Sequence, residues 1–359
     1  MALVRTLFVS AALLIAMPLA AEELHFESFG EFLEQFRLDS GTPSLSAVIV
    51  KDGEIAWERY LGTYDDEGEL PTRAETTYKI ASVTKPIAAT AILAEAAAGS
   101  LDLDIRMTSD QGWTELCEFF VTTPISFMSG GEDRNGIPIA PMRCDQPTTL
   151  RQMLDMRANG DVFVYNPIAF ARIDRAISGA GGRELRTIVR ERVADQVGME
   201  DVALGWRDPD GGAALRFLAE PFHVIDGRAV KQPLPDDDFR AAAGIIASPR
   251  AIAAFDIAYD AGVFAEAVNL GGDAISQPLG PLGDYRQGWF LEEWRGQRLM
   301  WHSGWNEKQY STLYLKLPAK NLSLIVMANT EAVWWGNSQV KAEVVESPIA
   351  RRFLEEVAR

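Results

Sequence analysis

Residues 78–98 read YKIASVTKPIAATAILAEAAA, and the expected fold is built outward from this stretch. The apolar, alanine-rich run over residues 87–98 predicts a buried helix. Pro86 has no backbone N–H, so it is tolerated only in a first helical turn, where four donors are unpaired anyway. The helix therefore begins close to Ser82. Lys85 follows three residues later on the same helix face, which gives a nucleophilic hydroxyl a nearby proton acceptor.

A second Ser-x-x-Lys tetrad has the same spacing and consists of Ser338 and Lys341 with two residues between them. Spacing alone therefore does not identify a nucleophile. We interpret the second tetrad as part of the solvated face of the last helix, which is predicted over residues 339–357.

Composition bounds the class of protein and its partners. The chain has 359 residues, of which 47% are hydrophobic, and this is enough for one large or two medium domains. The formal net charge at pH 7 is −17, so the surface repels nucleic acid and anionic lipid, and we expect neither as a partner. Three histidines without ligand-like spacing predict no metal site, and the sequence predicts no cofactor.

The N-terminus has the layout of a secretory signal peptide, predicted over residues 1–21. Arg5 precedes an apolar stretch that is too short to favour a membrane span, although an uncleaved anchor stays an alternative. We therefore expect a secreted or periplasmic protein with no stable membrane span after signal cleavage. In that setting Cys117 and Cys144 predict a disulfide, with two unpaired thiols as the alternative.

The order of helical and strand-like segments predicts an α+β fold. Two β-rich runs around Asp52 and Gly53 read as a hairpin, the middle of the chain has helical periodicity, and strand-like segments return after residue 284. The simplest assembly is an antiparallel sheet flanked by N- and C-terminal helices, with an inserted, mainly helical domain. Residues 22–80 and 284–359 would form the sheet domain and residues 81–283 the helical domain, with the site in the cleft between them.

Two later segments could complete a site around the first tetrad. Tyr165 lies at a predicted loop-to-helix junction, where a lysine ammonium would lower the pKa of the phenol and make it a base. A buried structural tyrosine is the alternative. His302 and Gly304 follow a short strand and precede Trp305. A glycine there lets a substrate backbone come close, and the next N–H can point at an oxyanion, although His302 also fits an ordinary strand-end histidine.

The order of these motifs along the chain resembles that of a known family. Residues 78–86, followed by residues 99–104, resemble the nucleophile segment of the serine β-lactamase-related family. That family includes class C β-lactamases, D-alanyl-D-alanine carboxypeptidases, D-aminopeptidases and family VIII esterases, and the implied fold is β-lactamase/transpeptidase-like. The similarity spans residues 40–330. Further matches, in chain order, are residues 149–154, Tyr165, Gly198-Met199, residues 243–248, Gly288-Trp289 and His302-x-Gly304.

The resemblance implies a role for each piece. Ser82 would be the acylated nucleophile, Lys85 its proton partner and Tyr165 the general base of the second motif. Residues 302–304 would stand for the third motif, written Lys-Thr-Gly in β-lactamases and often His-x-Gly in peptidases. The oxyanion donors would be the backbone N–H groups of Ser82 and Trp305.

The chain departs from the family pattern in two places. The second motif usually reads Tyr-x-Asn, but Pro167 occupies the Asn position and Asn166 precedes it. A histidine that the family usually carries after the segment ending at Leu154 is replaced by Met156. The first departure bears on substrate class, and Asn166 is kept as a candidate substrate-binding residue.

We predict an exported serine hydrolase that forms an acyl-enzyme on an ester or amide, of the esterase or D-amino-acid peptidase and amidase type. Its substrate would be a small molecule or a peptide, and no prediction of oligomeric state is made. The alternatives are a β-lactamase, and a catalytically degenerate relative that binds peptide or cell-wall fragments without turnover.

Overall fold

The computed structural model describes residues 16–234, 237–272 and 276–358, with side chains from Phe26 onward. Residues 1–15 of the predicted signal segment lie outside the described residues. No helix in the described ranges is long and apolar enough to cross a membrane. The strands in chain order are β1 (Ser44–Lys51), β2 (Glu54–Gly62), β3 (Tyr78–Lys79), β4 (Gly131–Glu132), β5 (Pro138–Ile139), β6 (Val202–Leu204), β7 (Phe222–Ile225), β8 (Arg228–Lys231), β9 (Ile245–Ala247), β10 (Asp284–Arg286), β11 (Trp289–Trp294), β12 (Gln297–Asn306), β13 (Tyr310–Leu317) and β14 (Leu322–Ala328).

Helices occupy both ends of the described chain and most of its middle. They are α1 (Ala16–Asp39), α2 (Thr84–Ala97), α3 (Trp113–Val121), α4 (Ser126–Ser129), α5 (Leu150–Leu154), α6 (Pro167–Phe170), α7 (Ile173–Gly179), α8 (Leu185–Val189), α9 (Asp195–Val197), α10 (Gly212–Arg216), α11 (Pro249–Asp260), α12 (Ala265–Leu270) and α13 (Pro348–Glu356), with a π-helical turn at Arg190–Ala194 and short 3-10 turns at Ala81–Val83, Met107–Ser109, Pro318–Lys320 and Val344–Glu346.

The main sheet has seven antiparallel strands in the order β10-β11-β12-β13-β14-β1-β2. The early hairpin joins the late strands through β1 and β14, where Leu45 lies opposite Ala328. Strands β13 and β14 are buried along their whole length, which indicates that both faces of the sheet are covered. The predicted α+β fold with one antiparallel sheet is confirmed.

Helices from the two chain ends cover one face of this sheet, as predicted. The ring of Phe29 on α1 lies 6.1 Å from that of Trp57 on β2 and 5.7 Å from that of Phe353 on α13. Helix α11 covers the other face, where Asp256 accepts hydrogen bonds from Tyr314 and Lys316 of β13. The two hydrogen bonds to Asp256 offset part of the cost of burying these polar side chains against the sheet.

The helices α2 to α12 lie between β2 and β10 in the chain, together with a small sheet in the order β3-β9-β6. Cys117 and Cys144 form a disulfide with a Cα–Cα distance of 5.6 Å, which confirms the predicted bridge. The bridge ties α3 to the segment that precedes α5. The division into two domains at residues 81 and 283 stays a prediction.

The last helix is shorter than predicted. Helix α13 begins at Pro348, because the Ser347 side chain accepts a hydrogen bond from the Ala350 N–H at 3.3 Å and caps it there. Residues 339–343 are not helical. Ser338 is buried and its hydroxyl donates to Asp133, so the interpretation of the second tetrad as a solvated helix face was wrong.

Candidate active site

Ser82 lies in the 3-10 turn that immediately precedes α2. Pro86 is the third residue of α2, so the prediction that the helix begins close to Ser82 is confirmed. Ala81, just before the serine, has a left-handed backbone with φ of 47°, a conformation that L-residues rarely adopt and that is often found at functional sites. The N–H groups of a first helical turn have no acceptor within the helix, which makes them suitable donors for a ligand oxygen.

Lys85 is fully buried beneath this turn. Its Nζ lies 2.8 Å from the Ser82 Oγ, and it donates a hydrogen bond to the Ala242 carbonyl oxygen at 2.9 Å. Burial holds the pKa of the Lys85 amine well below its usual range, because the charged form loses its hydration. The lowered pKa favours the neutral amine, whose lone pair can accept a proton, more than in a free lysine.

Tyr165 faces the same amine from the loop before α6. The Lys85 Nζ lies 4.9 Å from the centroid of the Tyr165 ring. Burial raises the pKa of the Tyr165 phenol above its ordinary value, and a hydrogen bond with Ser82 opposes the shift only in part. The predicted lowering of this pKa was wrong, because burial disfavours the charged phenolate and is the largest influence on the group. Tyr165 is therefore a proton donor at neutral pH.

His302 lies inside β12 and does not line the cavity described below. Its Nδ1 lies 2.7 Å from the Ser303 carbonyl oxygen, which can only accept, so Nδ1 carries the proton. The Nε2 then accepts a hydrogen bond from the Tyr285 hydroxyl at 3.1 Å. Burial lowers the pKa of His302 well below its usual value. The expectation of direct substrate binding by His302 is corrected: it is a neutral side chain that does not line the cavity and lies beside Tyr165, with 5.6 Å between the ring centroids.

Two glycines allow strands to approach the nucleophile turn. A Cβ on Gly304 would lie 2.2 Å from the Ile80 carbonyl oxygen, so only glycine lets β12 pack against this turn. A Cβ on Gly288, in the turn between β10 and β11, would lie 2.7 Å from the Lys85 carbonyl oxygen. Gly304 therefore acts through backbone packing against Ile80. Trp305, the next residue, is 39% exposed and lines the cavity.

Asn166 is fully buried and points away from the cavity, which corrects its expected role in substrate binding. Its Oδ1 accepts a hydrogen bond from the Ala169 N–H at 3.0 Å and caps α6. Its Nδ2 donates to the Phe127 carbonyl oxygen at 3.2 Å. Pro167 lines the cavity in its place and offers no side-chain donor.

The three side chains of the predicted catalytic set open onto one cavity of about 710 Å³, a size that suits a small organic substrate. Of the four other predicted site residues, Trp305 lines this cavity, and His302, Gly304 and Asn166 do not. The rest of the wall was not predicted, because it combines side chains from distant segments. These residues are Leu116, Phe120, Phe127, Pro167, Ile168, Ala171, Arg172, Arg175, Arg240, Ala242, Ala243, Ser303, Trp334, Asn337 and Gln339.

Asn337 is a further residue that sequence reasoning missed. Its Oδ1 accepts hydrogen bonds from the Ser303 hydroxyl at 2.7 Å and from the Trp334 indole N–H at 2.9 Å. It thereby holds the segment after β14 against the strand that borders Ser82. No motif marks this contact, because Asn337 and Ser303 meet only in the folded chain.

No group of three or more His, Cys, Asp or Glu side chains with the geometry of a metal site occurs within the described ranges. The chain belongs to the Beta-lactamase family, whose model matches residues 29–333. Esterase EstB from Burkholderia gladioli is 44% identical over 213 residues, which cover 53% of this chain and 54% of the esterase. The chain thus spans about half the length of that relative.

Solved structures show the same fold at low sequence identity. A class C β-lactamase from Rhodobacter sphaeroides superposes with a TM-score of 0.65 at 12% identity, covering 94% of this chain and 98% of the other. The D-alanine carboxypeptidase AmpC from Burkholderia cenocepacia also gives 0.65, at 14% identity, covering 92% and 99%. The fold is therefore β-lactamase/transpeptidase-like, and the chain is a member of a serine hydrolase family.

Proposed function

We propose that this protein is an exported serine hydrolase that cleaves small esters or amides through an acyl-enzyme on Ser82. One observation carries the proposal. The Ser82 Oγ lies 2.8 Å from the amine of Lys85, and burial lowers the pKa of that amine well below its usual range. A hydroxyl becomes a nucleophile when a base of suitable pKa lies within hydrogen-bonding distance. The disulfide supports export, since such bonds persist in oxidising compartments.

In the acylation step, the Lys85 amine uses one N–H for the Ala242 carbonyl oxygen and its lone pair for the Ser82 proton. As that proton moves to Nζ, the Ser82 Oγ forms a bond to the substrate carbonyl carbon. The oxygen of the resulting tetrahedral species is stabilised by the backbone N–H groups of Ser82 and Trp305.

Collapse of the tetrahedral species breaks the bond to the leaving alcohol or amine. That group must gain a proton, and Tyr165, which hydrogen-bonds Ser82 and is protonated at neutral pH, can donate it and be reprotonated from Lys85. Water then attacks the acyl carbon and gives its proton to the Lys85 amine. The bond between that carbon and the Ser82 Oγ breaks as Oγ takes the proton from Lys85, which releases the acid and restores the serine. Atoms and charge balance over the cycle, and no cofactor takes part.

The cavity favours an ester or simple amide over a β-lactam. Asn166 directs its amide into the protein, Pro167 has no donor, and His302 is neutral and does not line the cavity. Each hydrogen bond lost at the second-motif or third-motif position costs roughly 1.5–3 kcal/mol, so two losses together slow a β-lactam that must be held at both positions by several orders of magnitude. A small ester needs only the nucleophile and the oxyanion donors. The 44% identity to an esterase over part of the chain supports this choice.

The test is a substrate panel with purified protein and a Ser82→Ala control. We expect 4-nitrophenyl acetate and butyrate to be cleaved, a chromogenic cephalosporin to be cleaved slowly or not at all, and D-alanine 4-nitroanilide to report any amidase activity. A kcat/KM for the cephalosporin above those of all esters and amides would favour the β-lactamase alternative. Binding of peptide without turnover of any ester or amide would favour the degenerate binder.

A further inference from the structure

The wall of the cavity carries a charge opposite to that of the chain. The protein has 51 acidic and 34 basic residues, yet three arginines and no acidic side chain line the described part of the cavity. The arginines are Arg172, Arg175 and Arg240. An acidic protein repels anions at long range, so a locally positive cavity changes which substrates it can hold.

Two of the three arginines come from one helical face. Residues 167, 168, 171, 172 and 175 all line the cavity, and their spacing of three to four residues puts them on one side of α6 and α7. The apolar members of this face are Pro167, Ile168 and Ala171. A bound substrate would therefore meet apolar surface near Tyr165 and guanidinium groups further along.

The third arginine, Arg240, comes from a segment that is distant in the chain. Arg240 precedes the Ala242 carbonyl that binds the Lys85 amine, so it is close in the chain to the reacting centre. Its Nη1 donates to Asp174 at 2.7 Å, and Arg172 is paired with Asp110. Both of these arginines are neutralised by a carboxylate that does not itself line the cavity.

Arg175 is the arginine without such a partner. It is exposed, and it has no acidic partner among the residues that the structure describes. Its planar guanidinium has several N–H donors in the geometry that a carboxylate or phosphate accepts. The cavity thus has a net positive end with unused donors.

We propose that this positive end, centred on Arg175, binds an anionic group of the substrate, so that the natural ester or amide carries a carboxylate or a similar anion on its acyl or its alcohol part. The proposal rests on the proposed function, because it names the substrate class of the same site. The reacting carbonyl would lie at Ser82, and the apolar face of α6 would contact the intervening part of the substrate.

The test compares matched substrates that differ in charge. Mono-4-nitrophenyl glutarate and 4-nitrophenyl pentanoate share the leaving group and the length of the acyl chain, and 3-acetoxybenzoate and its methyl ester form the pair for the alcohol side. We expect the wild type to prefer the anionic member of at least one pair about fivefold or more in kcat/KM, and 0.5 M NaCl to reduce the preference through screening.

Variants of Arg175 test whether its charge, and not the shape of its side chain, sets the preference for anionic substrates. We expect Arg175→Gln to lower the anionic-to-neutral ratio about five- to tenfold, and Arg175→Glu to reverse the preference. Arg175→Lys should retain part of it. Arg228→Gln is the matched control, because Arg228 is an exposed arginine on β8, outside the cavity wall, and its loss should leave the ratio unchanged.

A binding measurement keeps this inference separate from the proposed function. Calorimetric titration of the Ser82→Ala protein with both nitrophenyl esters, and with both acetoxybenzoates, should show tighter binding of the anionic member in the pair that wild type prefers. Absence of turnover of every ester by wild type would contradict the proposed function alone. Equal kcat/KM ratios in wild type and Arg175→Gln, together with equal binding of charged and neutral esters, would overturn the anionic site.

Discussion

Replacing Gly304 with alanine should move the strand that borders the nucleophile. The added Cβ would lie 2.2 Å from the Ile80 carbonyl oxygen, whereas carbon and oxygen atoms ordinarily approach to about 3.3 Å. The strand and the turn must therefore move apart by about 1 Å. The clash is with backbone, which cannot rotate away. A misplacement of about 1 Å in catalytic groups costs on the order of 100-fold in rate, or about 2.7 kcal/mol of transition-state stabilisation.

The assay is kcat and KM for 4-nitrophenyl butyrate, with thermal unfolding of the same samples. We expect kcat of Gly304→Ala to fall about 100-fold, and the free energy of unfolding to fall by about 1–3 kcal/mol from overpacking. Gly212→Ala is the control, because outside the neighbouring residues and the backbone of its own helix no atom lies within 4 Å of its added Cβ. A folded Gly304→Ala protein with kcat within threefold of wild type would refute the reasoning that this packing sets the oxyanion site.

Further predictions concern the proton path and the disulfide. Because burial lowers the pKa of Lys85, the rise of kcat/KM with pH should occur well below the value of about 10.4 at which free lysine titrates; a rise centred there would contradict the mechanism. Tyr165→Phe should lower kcat about 100-fold and combine non-additively with Lys85→Met, whereas near-wild-type turnover would remove the phenol from the path. Opening the Cys117–Cys144 bridge, whose separation is 27 residues, should lower the free energy of unfolding by about 3.5 kcal/mol in urea titrations. An unchanged midpoint and slope would contradict that estimate.

The start of the nucleophile helix could be predicted because local rules decide it. Pro86 limits the helix to a beginning near Ser82 in any surroundings. The cap at Asn166 was also readable, since an Asn-Pro pair before a helix is a common start signal. The resemblance to the family instead favours a substrate contact for Asn166, whereas its side chain caps α6.

Properties that depend on burial could not be read from the sequence. The pKa values of Lys85 and Tyr165 are set by side chains from distant segments that exclude water around them. Likewise, the local pattern predicts that Ser338 lies on a helix surface, whereas in the fold it is buried and donates a hydrogen bond to Asp133. The charge of the cavity wall could not be predicted either, because Arg175 and Arg240 are far apart in the chain and meet only in the fold.

The central claim is that Ser82 is the acylated residue, and covalent labelling tests it most directly. Wild-type protein is treated with a fluorophosphonate probe, its intact mass is recorded, and the labelled peptide is sequenced, alongside Ser82→Ala and Ser338→Ala. We predict a single adduct on Ser82 in wild type and in Ser338→Ala, and none in Ser82→Ala. An adduct that persists in Ser82→Ala, or one mapped to Ser338, would contradict the account.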